Sequence, residues 1–435
     1  MTPETVQTSC CIVGGGPAGV MLGYLLARAG VPNVVLEKHK DFFRDFRGDT
    51  VHPSTMEVLN ELGILDQFLR APHQELQAGG GVIGDFAFQA AKFSRLPTRC
   101  KFIALMPQWD FLDFLATKGR NYSKFDLRME HEAVGLVEEN GKVVGVEAAT
   151  PAGRVTVRAH LVVACDGRNS TIRRAAKLEV DEFGVPIDVL WFRISRTSEE
   201  PEQVLGTFNY GAALILIPRG DYFQAGFLIR KNSFEELQAK GLEAFRERIL
   251  RIAPHLRDRV AEVQHWDQVK LLSVQINRLR QWYRPGLLCI GDAAHAMSPI
   301  GGVGINLAIQ DAVAAANLLA QPLQSGTVPE SLLQALQERR EFPAKVTQSF
   351  QKNVHKFMDR AFRGEQKMEA PWLLKAFVSI PGIQHVTGRA IGLGVRPEHV
   401  ADVYRRRTSS KPWILGAAFC AGALAGGLFA RRKYC

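Results

Sequence analysis

One stretch near the start narrows the fold of this chain more than any other: "SCCIVGGGPAGVMLGYLLARAG", residues 9–30. A continuous apolar run, a cluster of glycines and a second apolar run read as a buried parallel strand, a tight turn and a helix. Gly14, Gly16 and Gly19 have G-x-G-x-x-G spacing. The first glycine permits the turn, the second lets backbone approach a pyrophosphate, and the third lets helix and strand pack closely. A further strand, "NVVLEK", brings in Glu37, 23 residues after Gly14. An acid at that distance suits a ribose 2′-hydroxyl and disfavours a 2′-phosphate. The expectation is a dinucleotide held by Gly14, Gly16, Pro17, Ala18, Gly19, Glu37 and Lys38. Only one such fingerprint is visible, so a nicotinamide donor, NADPH or NADH, is expected to bind transiently in a groove.

A second glycine-rich loop, "GDAAHAMSPIGGVGIN" (291–306), follows the apolar "GLLCI" and leads into a helix of small residues. Backbone amides in such a loop can face an anion. Between the two loops lies "HLVVACDGRNSTIRRAAK", a buried strand ending at Asp166 and Gly167, with Ser170 or Thr171 placed to cap the next helix. Ser54 or Thr55 is similarly expected to cap "MEVLNELGI", with Pro53 blocking helix before it. Arg47 sits in the polar loop ahead, a cation available to a phosphate or ring. Gln108 stands at the entrance of the helix "MPQWDFLDFLATKG". "ENGK" and "TPAGR" read as hairpin turns.

These motifs, in this order, resemble the flavin-dependent monooxygenases of the para-hydroxybenzoate hydroxylase type, the class A flavoprotein monooxygenases that include ubiquinone-biosynthesis hydroxylase-like proteins. The resemblance covers most of residues 8–350. It implies FAD, with Glu37 on the adenosine ribose and Arg47 and Gln108 along the pyrophosphate and ribityl chain. Asp166 would serve both flavin and nicotinamide approach. Asp292 would bond the ribityl chain, and Pro299 with Gly302, Val303, Gly304, Ile305 and Asn306 would face the isoalloxazine. It also implies the reaction: NAD(P)H reduces the flavin, O₂ forms a C4a-hydroperoxide, and oxygen passes to an aromatic or quinone-like substrate. The alternative is a flavoprotein dehydrogenase or reductase acting on an isoprenoid or other apolar substrate; a third reading is a non-catalytic FAD-binding membrane protein. The Trp-rich motif of a flavin halogenase is absent.

The fold expected is α/β: a Rossmann-like FAD-binding domain with a parallel sheet (1–78, 98–175 and 276–350), an antiparallel-sheet substrate domain (79–97 and 176–275) and C-terminal helices (351–410). Trp191, Phe192, Arg193, Phe208, Tyr210, Tyr222, Phe223 and Gln224 are candidate pocket residues. No catalytic base stands out; Arg47, Pro299, Tyr222 and Gln224 are the candidates, and His295, with no visible acid to orient it, reads as structural.

The formal charge is +10, but residues 401–435 alone carry seven Lys/Arg and one acid, leaving +4 for the rest. No basic stripe interleaved with aromatics exists, so nucleic acid is not expected as a partner. Seven cysteines without a CxxC pair argue against a disulfide framework or a zinc site. The opening "MTPETVQTSCCIVGG" lacks the basic region of a signal peptide, so a cytoplasmic location is expected. Eighteen uncharged residues, Trp413–Ala430, lie between Lys411 and Arg431. That length is at the lower limit for a membrane-spanning helix, and residues 411–435 are expected to anchor the chain on the cytoplasmic side of a membrane.

Overall fold

The strand Glu4–Val13 pairs in parallel with Asn33–Leu36 on one side and with Gly153–Ala164 on the other. In this computed structural model, which describes residues 4–43, 50–200, 205–362, 364 and 366–404, it forms the centre of an eight-stranded sheet. Phe125–Arg128 and Leu287–Cys289 extend the parallel set outward. Cys10 to Val13 are buried, as are all four residues of Asn33–Leu36, which is why Cys10–Val13 and Val34–Leu36 read as apolar runs. Glu132–Glu139, Lys142–Thr150 and Tyr283–Arg284 add antiparallel strands. The turn at "ENGK" has Asn140 and Gly141 both at positive φ, 51° and 76°, as a two-residue hairpin of that twist needs.

The helices, in chain order, are α1 (Pro17–Arg28), α2 (Pro53–Glu61), α3 (Leu65–Phe68), α4 (Gln108–Gly119), α5 (Thr171–Ala175), α6 (Phe234–Ala239), α7 (Leu242–Ile252), α8 (Gly304–Ser325), α9 (Glu330–Ala361), α10 (Trp372–Ser379) and α11 (Ile383–Leu393). Helices α1, α2, α4 and α8 bury one face of the large sheet, with Leu22, Leu25, Met56, Leu115 and Val313 in one core. Helix α8 is long and apolar enough to cross a membrane, yet it lies mostly inside this core.

Helix α5 starts as expected, the Ser170 side chain accepting from Arg173 N at 2.9 Å. Helix α2 does not. Its first residue is Pro53, whose fixed φ suits that position, and His52 precedes it. Ser54 and Thr55 therefore fall inside the helix, and both hydroxyls donate to Asn306 Oδ1 at 2.7 Å.

A seven-stranded sheet runs in the order Lys270–Leu272, Ile187–Ser195, Tyr222–Arg230, Ala212–Arg219, Leu205–Asn209, Ala78–Ile83 and Phe86–Lys92. Its neighbours are antiparallel except for Leu205–Asn209 beside Ala78–Ile83, which is parallel. Alternation sorts its side chains onto two faces. Leu190, Phe192, Ile194, Phe223 and Phe227 pack against Phe245 and Ile249 of α7. Val189, Trp191 and Leu228 look the other way, into a cluster with Met358 of α9 and Ile300 of the second glycine-rich loop.

Buried charge ties that loop to the helices behind it. Asp311 of α8 accepts from Gly291 N at 3.0 Å and from His295 Nε2 at 2.6 Å, while Arg340 of α9 donates to its other oxygen at 2.8 Å. Burial alone would raise the Asp311 carboxyl, but His295 and Arg340 outweigh it and hold the group below its ordinary range. Breaking a buried pair by removing one charge costs about 3–5 kcal/mol. Asp311→Asn is therefore expected to destabilise the fold by that amount, read as a lower urea midpoint; an unchanged midpoint contradicts this reading of the network.

Candidate functional site

Three strand ends lie side by side. Val13 pairs with Ala164, and Ala164 with Cys289, so the residues that follow each strand emerge in one row. Gly14 has φ of 106°, and a Cβ there would lie 2.5 Å from Cys165 O. A Cβ on Gly19 would lie 1.9 Å from Gly14 O, so the helix meets the turn at a distance only glycine allows. Gly16 differs: a Cβ there would meet nothing within 4 Å, because its backbone borders open space. Pro17 opens α1, Ala18 is buried, and no side chain caps the helix, so its first amides face that space. Ala18 also stands beside Gly291, where the second loop begins.

Glu37 lies at the end of the adjacent strand. Gly15 N donates to one carboxylate oxygen and His39 N to the other, both at 3.0 Å. Lys38 is exposed, on the rim of a surface cavity of about 370 Å³ shared with His39, Lys40 and Glu130.

From the middle strand come Asp166 and Gly167. Asp166 Oδ2 accepts from Ile172 N at 3.1 Å, while Oδ1 is buried with no partner among the described residues. Burial pushes its carboxyl up, opposed by the Ser170 and Ile172 donors. Asp292, from the third strand end, lies 3.5 Å from Arg168 Nη2. The sequence showed no cation for Asp292; its partner comes from the loop after Asp166, and Arg168 Nη1 is itself buried without a partner among the described residues. His295 likewise has the acid that sequence reasoning did not see, Asp311. With 1% of its surface exposed and its ring 4.9 Å from that of Trp282, it stands behind the loop as a support.

The second loop is built largely by side chains. Gly301 and Gly302 have φ of 81° and 62°. Thr50 Oγ1 donates to Gly302 O at 2.7 Å. From α9, Gln351 accepts from Ser298 N at 3.0 Å and donates to Ser298 O and Ile300 O at 2.9 Å. Gln348 donates to Asn277 O and Ala296 O, and His355 Nε2 lies 2.8 Å from Ser298 Oγ. Nothing in the sequence flagged these three, whose spacing along one helix is an ordinary polar i, i+3, i+7 pattern. Asn306 is buried, bonded by Ser54 and Thr55; Ile305 is buried beside it, Pro299, Gly302, Val303 and Gly304 are partly accessible, and the space at Gly304 is open. Gln108 opens α4, half-buried. Arg47 lies outside the described residues.

Of the candidate pocket residues, Phe192 and Phe223 are on the wrong face, buried against α7, because alternation turns every second side chain away. Tyr210 sits in a turn under Arg251. Trp191, Phe208 and Gln224 share the face toward the second loop. On that face, at its rim, Arg193 donates to Tyr222 OH at 2.9 Å and stacks over the ring at 4.2 Å.

Residues 7–350 match the family described as FAD binding domain, and the chain belongs to it. Among curated relatives it is 34% identical over 348 residues to 6-methylpretetramide 4-monooxygenase of Streptomyces rimosus, spanning 78% of this chain and 81% of that one. Among solved structures it is similar to the anhydrotetracycline hydroxylase OxyS of Streptomyces rimosus, with a TM-score of 0.70 and 23% identity over 91% of this chain and 78% of that one. It is also similar to p-nitrophenol 4-monooxygenase PnpA of Pseudomonas putida, with a TM-score of 0.70 and 20% identity over 89% and 95% of the two chains. The enzyme is an FAD-dependent monooxygenase by family. The site fits the cofactor: the open backbone at Gly16, two uncapped helix starts and the unpartnered Asp166 oxygen offer donors and an acceptor along one row.

Two outcomes follow. Gly16→Val is expected to fill the open space and yield protein without flavin, and Asp292→Ala to lower flavin retention with the fold intact; the 450 nm absorbance of purified protein reads both. Burial lowers His355 from 6.5 to about 4, so the folded protein declines a proton that the unfolded chain accepts. Stability is full above that window and falls on acidification through it, by about 3 kcal/mol. His355→Gln should remove this part of the acid slope in denaturation curves; an identical slope contradicts the assignment.

Proposed function

We propose that the chain hydroxylates an aromatic or quinone-like substrate, using FAD, O₂ and NADPH or NADH. The observation that carries this reading is the convergence of three strand ends beneath the sheet face that bears Trp191 and Gln224. Kinship with 6-methylpretetramide 4-monooxygenase supports the aromatic class.

The roles proposed for the residues follow their positions. Gly14, Gly16 and Pro17 form the turn into α1 beside the pyrophosphate, and the first free amides, at Ala18 and Gly19, face it, where a helix start favours negative charge. Glu37 holds the ribose beside Lys38, and Gln108, with Arg47 from outside the described residues, lies along the pyrophosphate and ribityl chain. Asp166, Gly167 and Asp292 accept from the ribityl hydroxyls. Pro299 and the backbone from Gly302 to Asn306 border the ring, and the start of α8 stabilises charge on its reduced form. The group supplies oxygen activation and transfer; the chain orients it, excludes water and sets the field. Residues 1–78, 98–175 and 276–350 are the cofactor domain and 79–97 with 176–275 the substrate domain. Residues 411–435, outside the described residues, are proposed as an anchor on the cytoplasmic side of a membrane.

The expected result is NAD(P)H oxidation stimulated by an aromatic substrate, with O₂ consumed and one oxygen atom found in the product. Reduction of an apolar substrate without O₂ uptake would instead identify a reductase, and bound FAD that NAD(P)H never reduces would rule out both.

A further inference from the structure

Five large apolar side chains crowd the outer surface of α10 and α11: Trp372, Leu373, Phe377, Ile380 and Val386 are 74, 62, 42, 51 and 64% exposed. No residue of α10 is buried. Leu373 and Phe377 follow at i and i+4 on one stripe of the helix, Ile380 stands exposed just past its end, and Leu374 and Val378 form its half-buried side. Charge marks the same surface. No acid occurs between Glu369 and Glu398, whereas Lys375 and Arg389 are exposed there.

We propose that α10 and α11 form a docking surface for a bilayer carrying anionic headgroups, with the apolar stripe in the headgroup–acyl boundary and Lys375 and Arg389 on the lipid charges. An apolar stripe, a tryptophan at its start and cations without acids suit that boundary. Two other occupants fit the charge poorly. In a two-fold contact both copies would bring Lys375 and Arg389 and no acid of these helices to the seam, so neither cation gains a partner there. The segment 405–435 of this chain holds seven Lys/Arg and no acid, and would meet the same repulsion.

The surface connects to the site. Helix α11 packs on the edge strand Phe86–Lys92 of the seven-stranded sheet, so closely at Gly388 that a Cβ would lie 2.0 Å from Lys92 O. At its other end Ile391 O accepts from His52 Nδ1 at 2.9 Å, and Gly392 O lies 3.1 Å from Ser54 Oγ. Ser54 in turn bonds Asn306. On the functional reading above, an apolar substrate would enter from the bilayer past this helix; the docking surface itself stands without that reading.

Vesicle flotation of the full chain tests it, using phosphatidylcholine vesicles with about one third phosphatidylglycerol and, separately, phosphatidylcholine alone. The parent is expected to float with the anionic vesicles. Leu373→Glu with Phe377→Glu should weaken partitioning about 10-fold or more, and Lys375→Glu with Arg389→Glu about 5-fold with loss of the anionic preference. Flavin content, unchanged in both, shows that the variants are folded. The proposal is overturned if the parent stays at the bottom of the gradient. Variants that float like the parent also overturn it, since the tail alone then anchors. So does a parent dimer that the variants split while nothing floats. Because flotation needs no turnover, a failed hydroxylation assay leaves this result independent.

Discussion

The site depends on one backbone constraint: the parallel pairing that aligns Val13, Ala164 and Cys289. Parallel strands cannot be joined by tight turns, so their connections carry the chain away and return it in the same direction. Here the returns bring residues separated by more than half the sequence into one row at the carboxyl ends, where open α/β sheets receive ligands. A long cofactor needs that row. On the proposed reading, one glycine-rich turn serves its phosphates, and a second, two strands away in the sheet, serves the distant reactive ring.

The two turns are stabilised differently. The first is held by steric fit, since Gly14 and Gly19 admit no side chain where turn, helix and strand end converge. The second has little backbone pairing of its own. Gln348, Gln351 and His355 of α9 supply the missing partners, Thr50 fastens Gly302, and the Asp311–Arg340 pair braces the loop from beneath. Buried polar groups without partners are costly, so these side-chain bonds to the loop backbone restrain it. On the proposed reading, that restraint suits a surface that keeps one ring in place against the Trp191 face.

Much of the architecture was legible in the chain. Strand, turn, helix and Glu37 follow from local pattern, as do the Asn140–Gly141 hairpin and the Ser170 cap, because each depends on residues a few positions apart. The segment 79–97 was expected to join the antiparallel sheet, and the strands Ala78–Ile83 and Phe86–Lys92 do so. Trp191, Phe192 and Arg193 were all expected at the pocket; alternation turns Phe192 to the opposite face, and which face meets the loop depends on where α7 packs. Long-range side-chain partners left no trace. Asn306 with Ser54 and Thr55, Asp292 with Arg168, and His295 with Asp311 are joined by the fold, and no spacing rule links them. Placing Ser54 and Thr55 as caps failed for the same reason: Pro53 moves the helix start, and the hydroxyls find a distant partner.

The account holds that one ligand bridges all three strand ends. Amide hydrogen exchange of the protein stripped of flavin and then reloaded with FAD tests this directly. The account predicts slower exchange at Gly14–Val20, at Asp166–Asn169 and at Gly301–Asn306 together, with little change on the α7 side of the seven-stranded sheet. Protection confined to Gly14–Val20, with the other two segments exchanging as before, would contradict it.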